Sequence, residues 1–237
     1  MLLSRSAFLS FFAASFFGAF ALQSADLGQV PWAVSRASGL AAFAVLTASM
    51  VMGLLISTKA GDGIMSRPFV FDMHQFLAVA SLVLIAVHAG SLLFDGFLNF
   101  TSLSLVVPFI SPYRPLAVGA GVIAAWLAAI TTASFWMRSR IGQKRWRTLH
   151  YVTFLAYIAA LGHGITAGTD THLPFVYWGY IVSAGAVTAL LTLRITGYKP
   201  VPKRKPGSAS RGSAPLSGRP VRASEAANRI TAKASPR

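Results

Sequence analysis

The sequence contains no cysteine, and only 6 of its 237 residues are acidic. Without cysteine, disulfides, thiolate zinc sites and iron–sulfur clusters are excluded. Charged residues make up 11% of the chain, less than half of the share usual in soluble domains. With 54% apolar residues and a mean hydropathy of +0.60, the chain is neither a water-soluble globule nor disordered over most of its length. The composition predicts a membrane protein whose chemistry relies on histidine, carboxylates or the backbone.

Five apolar stretches are long enough to cross a membrane, which takes about 20 residues. They predict an all-α, polytopic transmembrane helical bundle with spans near 32–56, 74–94, 116–137, 150–168 and 174–194, within a domain covering residues 30–196. A sixth, shorter run near the N-terminus predicts that residues 1–25 are a signal peptide or an uncleaved signal anchor.

The basic residues of the connections predict the orientation of the bundle. Residues 138–149 carry five basic residues and no acid, whereas 95–115 and 169–173 together contain one basic residue, Arg114. Because cytoplasmic loops are enriched in Lys and Arg, we expect 57–73 and 138–149 in the cytoplasm.

Residues 197–237 hold ten basic residues and one acid, among Ser, Pro, Gly and Ala. This composition predicts a disordered basic cytoplasmic tail. Nucleic acid is one conceivable partner for such a tail, but its place directly after an apolar span favours anionic membrane lipid, so no nucleic acid partner is expected. The chain is accordingly predicted to lie in a membrane, most simply the bacterial cytoplasmic membrane.

Residues 97–111 are apolar but too short for a span and are interrupted by Pro108. They predict an interfacial or re-entrant stretch on the outer side. We expect a simple surface loop, with a lid over a site that opens outward as the alternative.

Four of the five histidines lie within predicted spans, where an ionisable side chain is costly and marks function. His74 and His88 lie at the inner end and toward the outer half of the second span, and His150 and His163 hold the same depths in the fourth. A single buried imidazole bonded to a hydroxyl would need no function, but two pairs at matching depths make that interpretation hard to sustain.

The spacings predict two levels of paired imidazoles. Fourteen residues separate His74 from His88 and thirteen separate His150 from His163, which correspond to about 21 Å and about 19.5 Å of helix rise. Since both spans run from inside to outside, His74 faces His150 and His88 faces His163. Two imidazoles at each level suit the axial ligation of a planar haem, whereas zinc or copper needs three or four ligands at one depth.

The fourth span needs a local deformation to present both of its histidines to one partner. Fourteen helical steps return to within about 40° of the starting face, but thirteen fall about 140° away. We therefore expect this span to tighten or bend between His150 and His163, with Gly162 and Gly164 as the place where it does so.

The paired histidines resemble those of the ferric reductase-like transmembrane domain family, in the form of its haem-binding membrane subunits. The resemblance covers roughly 30–195 and extends to the surrounding segments Trp32–Gly39, Asp72–Gln75, Trp146–Tyr151 and Leu161–Gly164. It implies two non-covalent b-type haems, an inner one held by His74 and His150 and an outer one held by His88 and His163.

Other members of the family continue into a cytoplasmic flavin and nicotinamide module. Here three Gly-x-Gly strings, beginning at Gly61, Gly119 and Gly162, neither follow a strand nor extend to a third glycine, so none is a dinucleotide fingerprint. We expect no bound flavin or NAD(P) domain in this chain. A separate electron donor, either a flavoprotein or a quinol, and an acceptor protein or small molecule on the outer side are then required.

Two arginines are candidate partners of haem propionates, because guanidinium pairs well with carboxylates where hydration is poor. Arg147 lies three residues before His150 and either reaches an inner propionate or serves as a cytoplasmic flank. Arg36 lies a turn inside the outer end of the first span, where an outer propionate is the preferred partner and Asp95 or Asp170 are the alternatives.

The function expected from the sequence is a membrane cytochrome b-type subunit of an oxidoreductase, which carries electrons across the membrane through two bis-histidine haems. A proton or metal transporter with the histidines as a relay is one alternative. A non-catalytic membrane scaffold with a basic recruiting tail is the other.

Overall fold

The computed structural model describes residues 29–62 and 64–197. The predicted leader, residues 1–25, and the basic tail beyond residue 197 lie outside these ranges. Within them every regular element is helical, and five helical segments are long and apolar enough to cross a membrane. The predicted all-α class and its five spans are thereby confirmed.

The described helices follow one another along the chain, and proline occupies the first turn of four of the five spans, where its missing N–H costs nothing. A 3₁₀ turn over Leu92–Phe94 prolongs the second span, and two consecutive helices form the fourth, Gln143–Ala167. The α-helices are α1 Val30–Thr58, α2 Arg67–Ser91, α3 Ser102–Val106, α4 Pro115–Trp136, α5 Arg138–Ile141, α6 Gln143–His150, α7 Val152–Ala167 and α8 Pro174–Ile195.

The spans pack as two helix pairs. The most extensive contacts join α1 to α2 and α4 to α7, and α1 also packs against α7 and α8. By contrast α2 and α7, which between them carry three of the four intramembrane histidines, make little direct contact with each other. The histidine-bearing helices therefore face each other across a space that their partners α1 and α4 flank.

The apolar core lies where α1, α7 and α8 meet. Met50, Leu54, Tyr157 and Val187 form a buried cluster, and the ring of Phe43 stacks on that of Tyr157 with centroids 5.8 Å apart. This cluster joins α1, the helix that supports α2, to the histidine-bearing α7.

The fourth span tightens at Tyr151, between α6 and α7, and not at the glycines. The N–H of Tyr151 donates to the Thr148 carbonyl at 3.2 Å and the N–H of Phe154 donates to the Tyr151 carbonyl at 3.1 Å. Where hydrogen bonds join residues three apart, each residue turns by about 20° more than in an α-helix. The side chains that follow are thereby rotated toward the face that His150 occupies. The predicted deformation exists, but its predicted place is wrong, because α7 runs regularly through Gly162 and Gly164.

The segment between α2 and α4 folds back against α4. Trp126 donates its indole N–H to the Val106 carbonyl at 2.9 Å, and the Phe109 ring occupies the space beside Gly119. Since Trp126 lies about 16 Å along α4, the segment runs back beside this helix and is not a simple surface loop.

Replacing Leu54 tests the three-helix core. Its side chain is 2% exposed, so Leu54→Ala leaves a cavity that we expect to cost about 2–5 kcal/mol. The matched control is Leu116→Ala, because Leu116 is 78% exposed on α4 and loses no packing. Thermal unfolding of the detergent-solubilised variants measures the difference, and equal midpoints would contradict this assignment of the core.

Candidate functional site

The four intramembrane histidines meet in two pairs. The His74 and His150 rings have centroids 6.0 Å apart, and the His88 and His163 rings are likewise 6.0 Å apart. The ring planes are steeply inclined, at 84° and 73°. The structure thus brings together the residues that the spacing paired, one pair toward each end of α2.

The separation of the rings is compatible with a shared ion. With metal–nitrogen bonds of about 2.0–2.1 Å, as for zinc, a linear nitrogen–metal–nitrogen unit places the ring centroids about 6.3 Å apart. Edge-to-face aromatic contact covers the same range, so distance alone does not define a ligand site. The hydrogen bonds of the rings carry more information.

Three of the rings donate Nδ1–H to a backbone carbonyl of the neighbouring helix. His74 donates to Ser49 at 2.8 Å, His88 to Ser35 at 2.8 Å and His163 to Ala117 at 2.9 Å. A carbonyl oxygen can only accept, so the proton of each neutral ring lies on Nδ1. The lone pair is then on Nε2, as in metal-binding histidines oriented by a backbone carbonyl.

A glycine one turn beyond each carbonyl makes room for the ring. A Cβ added at Gly39 or Gly121 would lie 2.7 Å from Nδ1 of His88 or His163, and one at Gly53 would lie 3.1 Å from the His74 ring. Real Cβ contacts are essentially never as short as 2.7 Å, and 3.1 Å is shorter than most, so each ring rests closely on the backbone of the helix that holds it.

Two of these supports form a repeat that the sequence analysis missed. Ser35 and Gly39 are followed fourteen residues later by Ser49 and Gly53, the same spacing as His74 to His88 on the antiparallel α2. Both serines are buried, and each hydroxyl also donates to the backbone carbonyl of the histidine it faces, at 3.1 Å for His88 and 3.3 Å for His74. The twofold Ser-x-x-x-Gly pattern was the available signal.

His150 is held differently. Its Nδ1 is buried and has no hydrogen-bond partner among the described residues, and its ring stacks on Trp146 with centroids 5.2 Å apart and planes 25° apart. The Arg138 guanidinium lies 5.7 Å from the Trp146 ring centroid. Trp146 begins one of the segments that carry the family resemblance, and in the structure it contacts a histidine.

A cavity of about 210 Å³ lies beside the pair formed by His88 and His163, which is called the outer pair below. His88 and His163 line it together with small residues of α1, α4 and α7, and the segment between α2 and α4 contributes Leu98, Leu105 and Tyr113. Apolar groups dominate the lining. Part of the segment 97–111, for which a lid is the alternative expectation from the sequence, thus lines this cavity.

Arg36 and Asp170 stand together at this cavity and form a salt bridge, with Arg36 Nε donating to an Asp170 oxygen at 2.8 Å. Asp170 was one of the two carboxylates weighed for Arg36 from the sequence. The other, Asp95, instead accepts the backbone N–H groups of Phe97 and Leu98. Arg147 and His172 are exposed, and neither joins the histidine pairs.

Among the described residues, no group of three or more His, Asp or Glu side chains converges to hold a metal ion. The imidazoles meet only as pairs, which suits a ligand that supplies its own equatorial donors. Comparisons with family models, curated proteins and solved structures found no match to this chain.

The glycine supports predict a graded effect of added methyl groups. We expect Gly39→Ala to displace the His88 ring and destabilise the protein by about 1–3 kcal/mol, and Gly53→Ala to cost less because its nearest contact is longer. Gly90→Ala is the control: a Cβ there meets no atom within 4 Å, and alanine favours the helix. Thermal unfolding compares them, and a Gly39→Ala variant as stable as Gly90→Ala would show that the ring does not rest on that helix.

Proposed function

We propose that the chain is a membrane cytochrome b-type electron-transfer subunit of the ferric reductase-like kind, with an inner b-type haem held by His74 and His150 and an outer one held by His88 and His163. The observation that carries this proposal is the orientation of the rings. In two facing pairs, three of four imidazoles have Nδ1–H engaged by a carbonyl, which leaves Nε2 as the free ligand atom.

The residues around the outer pair fit a bound haem. The cavity beside it is lined by apolar and small side chains, which would exclude water from a bound haem iron. Glycine at positions 39 and 121 keeps both rings close to their supporting helices and thereby leaves the space between α2 and α7 open. Arg36 lies at the cavity, and its guanidinium group is able to pair with a carboxylate.

Haem supplies reversible one-electron exchange, and the protein supplies ligation, burial and nearby charge. The carbonyls of Ser35, Ser49 and Ala117 fix three rings and make their Nε2 atoms more basic. The two levels are about 21 Å apart along α2, so together they span most of a bilayer's hydrocarbon core of about 30 Å. Electrons would enter from a flavoprotein or quinol at one level and leave to an acceptor at the other.

The decisive measurement is the reduced-minus-oxidised spectrum of protein purified from haem-replete cells, with haem quantified against protein. We expect two low-spin b-type centres in the wild type and only one in His88→Ala, in which the outer haem would keep a single imidazole ligand. His172→Ala is the matched control, because His172 is the exposed fifth histidine and its removal should leave both centres. Colourless wild-type protein would overturn the proposal, and pH-dependent ion flux from such protein would favour the histidine-relay transporter.

The Arg36–Asp170 pair predicts opposite shifts of the outer midpoint potential. Arg36→Gln removes a positive charge and disfavours the reduced, less positive haem, so the potential falls; Asp170→Asn removes a negative charge and raises it. At an effective dielectric of about 20, a unit charge in the same part of the bundle is worth on the order of 1 kcal/mol, or about 50 mV for one electron.

Redox titration of both haems measures these shifts, and the double variant should lie near the wild type because the pair is removed as a unit. The inner potential should change much less than the outer one. Shifts of the same sign in the two single variants, or an unchanged outer potential in both, would contradict this placement of the pair.

A further inference from the structure

His150 stands apart from the other three paired histidines in how its ring is supported. The others each donate Nδ1–H to a helix carbonyl at 2.8–2.9 Å, whereas Nδ1 of His150 is buried without a partner among the described residues. A buried polar atom without a hydrogen-bond partner is unfavourable, and no hydrogen bond to Nδ1 holds this ring in place.

The sequence of α4 explains the difference. Ala117 and Gly121 support His163, and fourteen residues further on, where the regular helix α4 returns to nearly the same face, the corresponding positions are Thr131 and Phe135. Thr131 is buried, and the Phe135 ring packs against the Trp146 ring with centroids 6.3 Å apart. The glycine that lets a ring rest on the backbone is therefore missing at the inner level of this helix.

Stacking on Trp146 is the aromatic contact that takes the place of a carbonyl. Trp146 and His150 lie one turn apart on α6, and the Trp146 indole N–H is itself buried without a partner among the described residues. His150 is also the last residue of α6, directly before the tightened turn at Tyr151. Stacking is weakly directional compared with a hydrogen bond, so the ring has more freedom than its three counterparts.

A second hydrogen bond to a ligating imidazole fixes its orientation and raises its basicity, and removing such a partner typically lowers metal affinity 10–100-fold. At the outer level both rings have this bond. At the inner level only His74 has it. The bond between the inner iron and His150 is therefore the weakest of the four.

We propose, on the basis of the function proposed above, that His150 is an exchangeable axial ligand and that the reduced inner haem accepts a small neutral ligand such as carbon monoxide in its place. In this exchange the iron–Nε2 bond breaks, an iron–carbon bond forms, and His150 keeps its lone pair, so no electron or proton is transferred. The outer haem, with two supported rings, stays closed.

The test is titration of the dithionite-reduced, haem-loaded protein with carbon monoxide, followed by difference spectroscopy. We expect one of the two haems to react, with an affinity at least tenfold above that of the other. In His150→Ala one haem should react, as in the wild type. His163→Ala removes a ligand of the outer haem, so both haems should then react. This contrast assigns the reactive haem in the wild type.

A second pair of variants isolates the stack. Trp146→Ala frees the His150 ring and should raise the rate of carbon monoxide binding several-fold, while Trp146→Phe keeps an aromatic ring and should stay near the wild type. The unchanged outer-haem spectrum shows that each variant is folded.

Three results would overturn the inference. The first is a reduced wild type in which neither haem reacts under conditions where His150→Ala does. The second is a reactive fraction that rises in His150→Ala but not in His163→Ala, which would place the exchangeable ligand at the outer level. The third, protein without haem, overturns the proposed function as well, so the two failures are distinguishable.

Discussion

The arrangement of the bundle depends on the hydrogen bond from a histidine Nδ1–H to a backbone carbonyl. An imidazole inside a membrane has two nitrogens to satisfy and no water to satisfy them. A helix carbonyl has a second lone pair beyond the one used in the helix, and it can accept that N–H only if the side chain one turn later is absent. Gly39, Gly53 and Gly121 meet this condition, and they fix how closely α1 approaches α2 and α4 approaches α7.

The same condition sets the register between the first two spans. Two supports fourteen residues apart on α1 meet two histidines fourteen residues apart on the antiparallel α2, so both contacts form only in one alignment of the helices. In the fourth span, the thirteen-residue spacing of His150 and His163 departs from a whole number of α-helical turns. The bundle accommodates it with the three-residue hydrogen bonds around Tyr151 and with a ring at position 150 that rests on Trp146.

The sequence predicts the spans and the two histidine levels because hydropathy and helix rise are properties of the chain alone. It predicts that the fourth span deforms, but glycine only permits a deformation and does not cause one, so Gly162 and Gly164 were the wrong place. The repeated Ser-x-x-x-Gly pattern was a signal for the supports at Ser35 and Ser49, but the carbonyl of Ala117 could not be predicted, since every residue has a carbonyl and only packing selects one. The sequence left a haem propionate, Asp95 and Asp170 as candidate partners of Arg36, and in the structure Arg36 forms a salt bridge with Asp170.

If haem occupies both levels, the two ends of the bundle differ in their electrostatics. At the outer end the charge of Arg36 is offset by Asp170. At the inner end Arg138 lies over Trp146 and Arg194 donates to Tyr151, and the segment from 138 to 149 contains no acid. Nearby cations and a less basic axial ligand would both favour reduced iron. A haem at the inner level would therefore hold an electron more tightly than one at the outer level. In the orientation expected from the basic residues, a membrane potential that is negative inside would favour outward electron transfer by about 2.3 kcal/mol per charge at 100 mV.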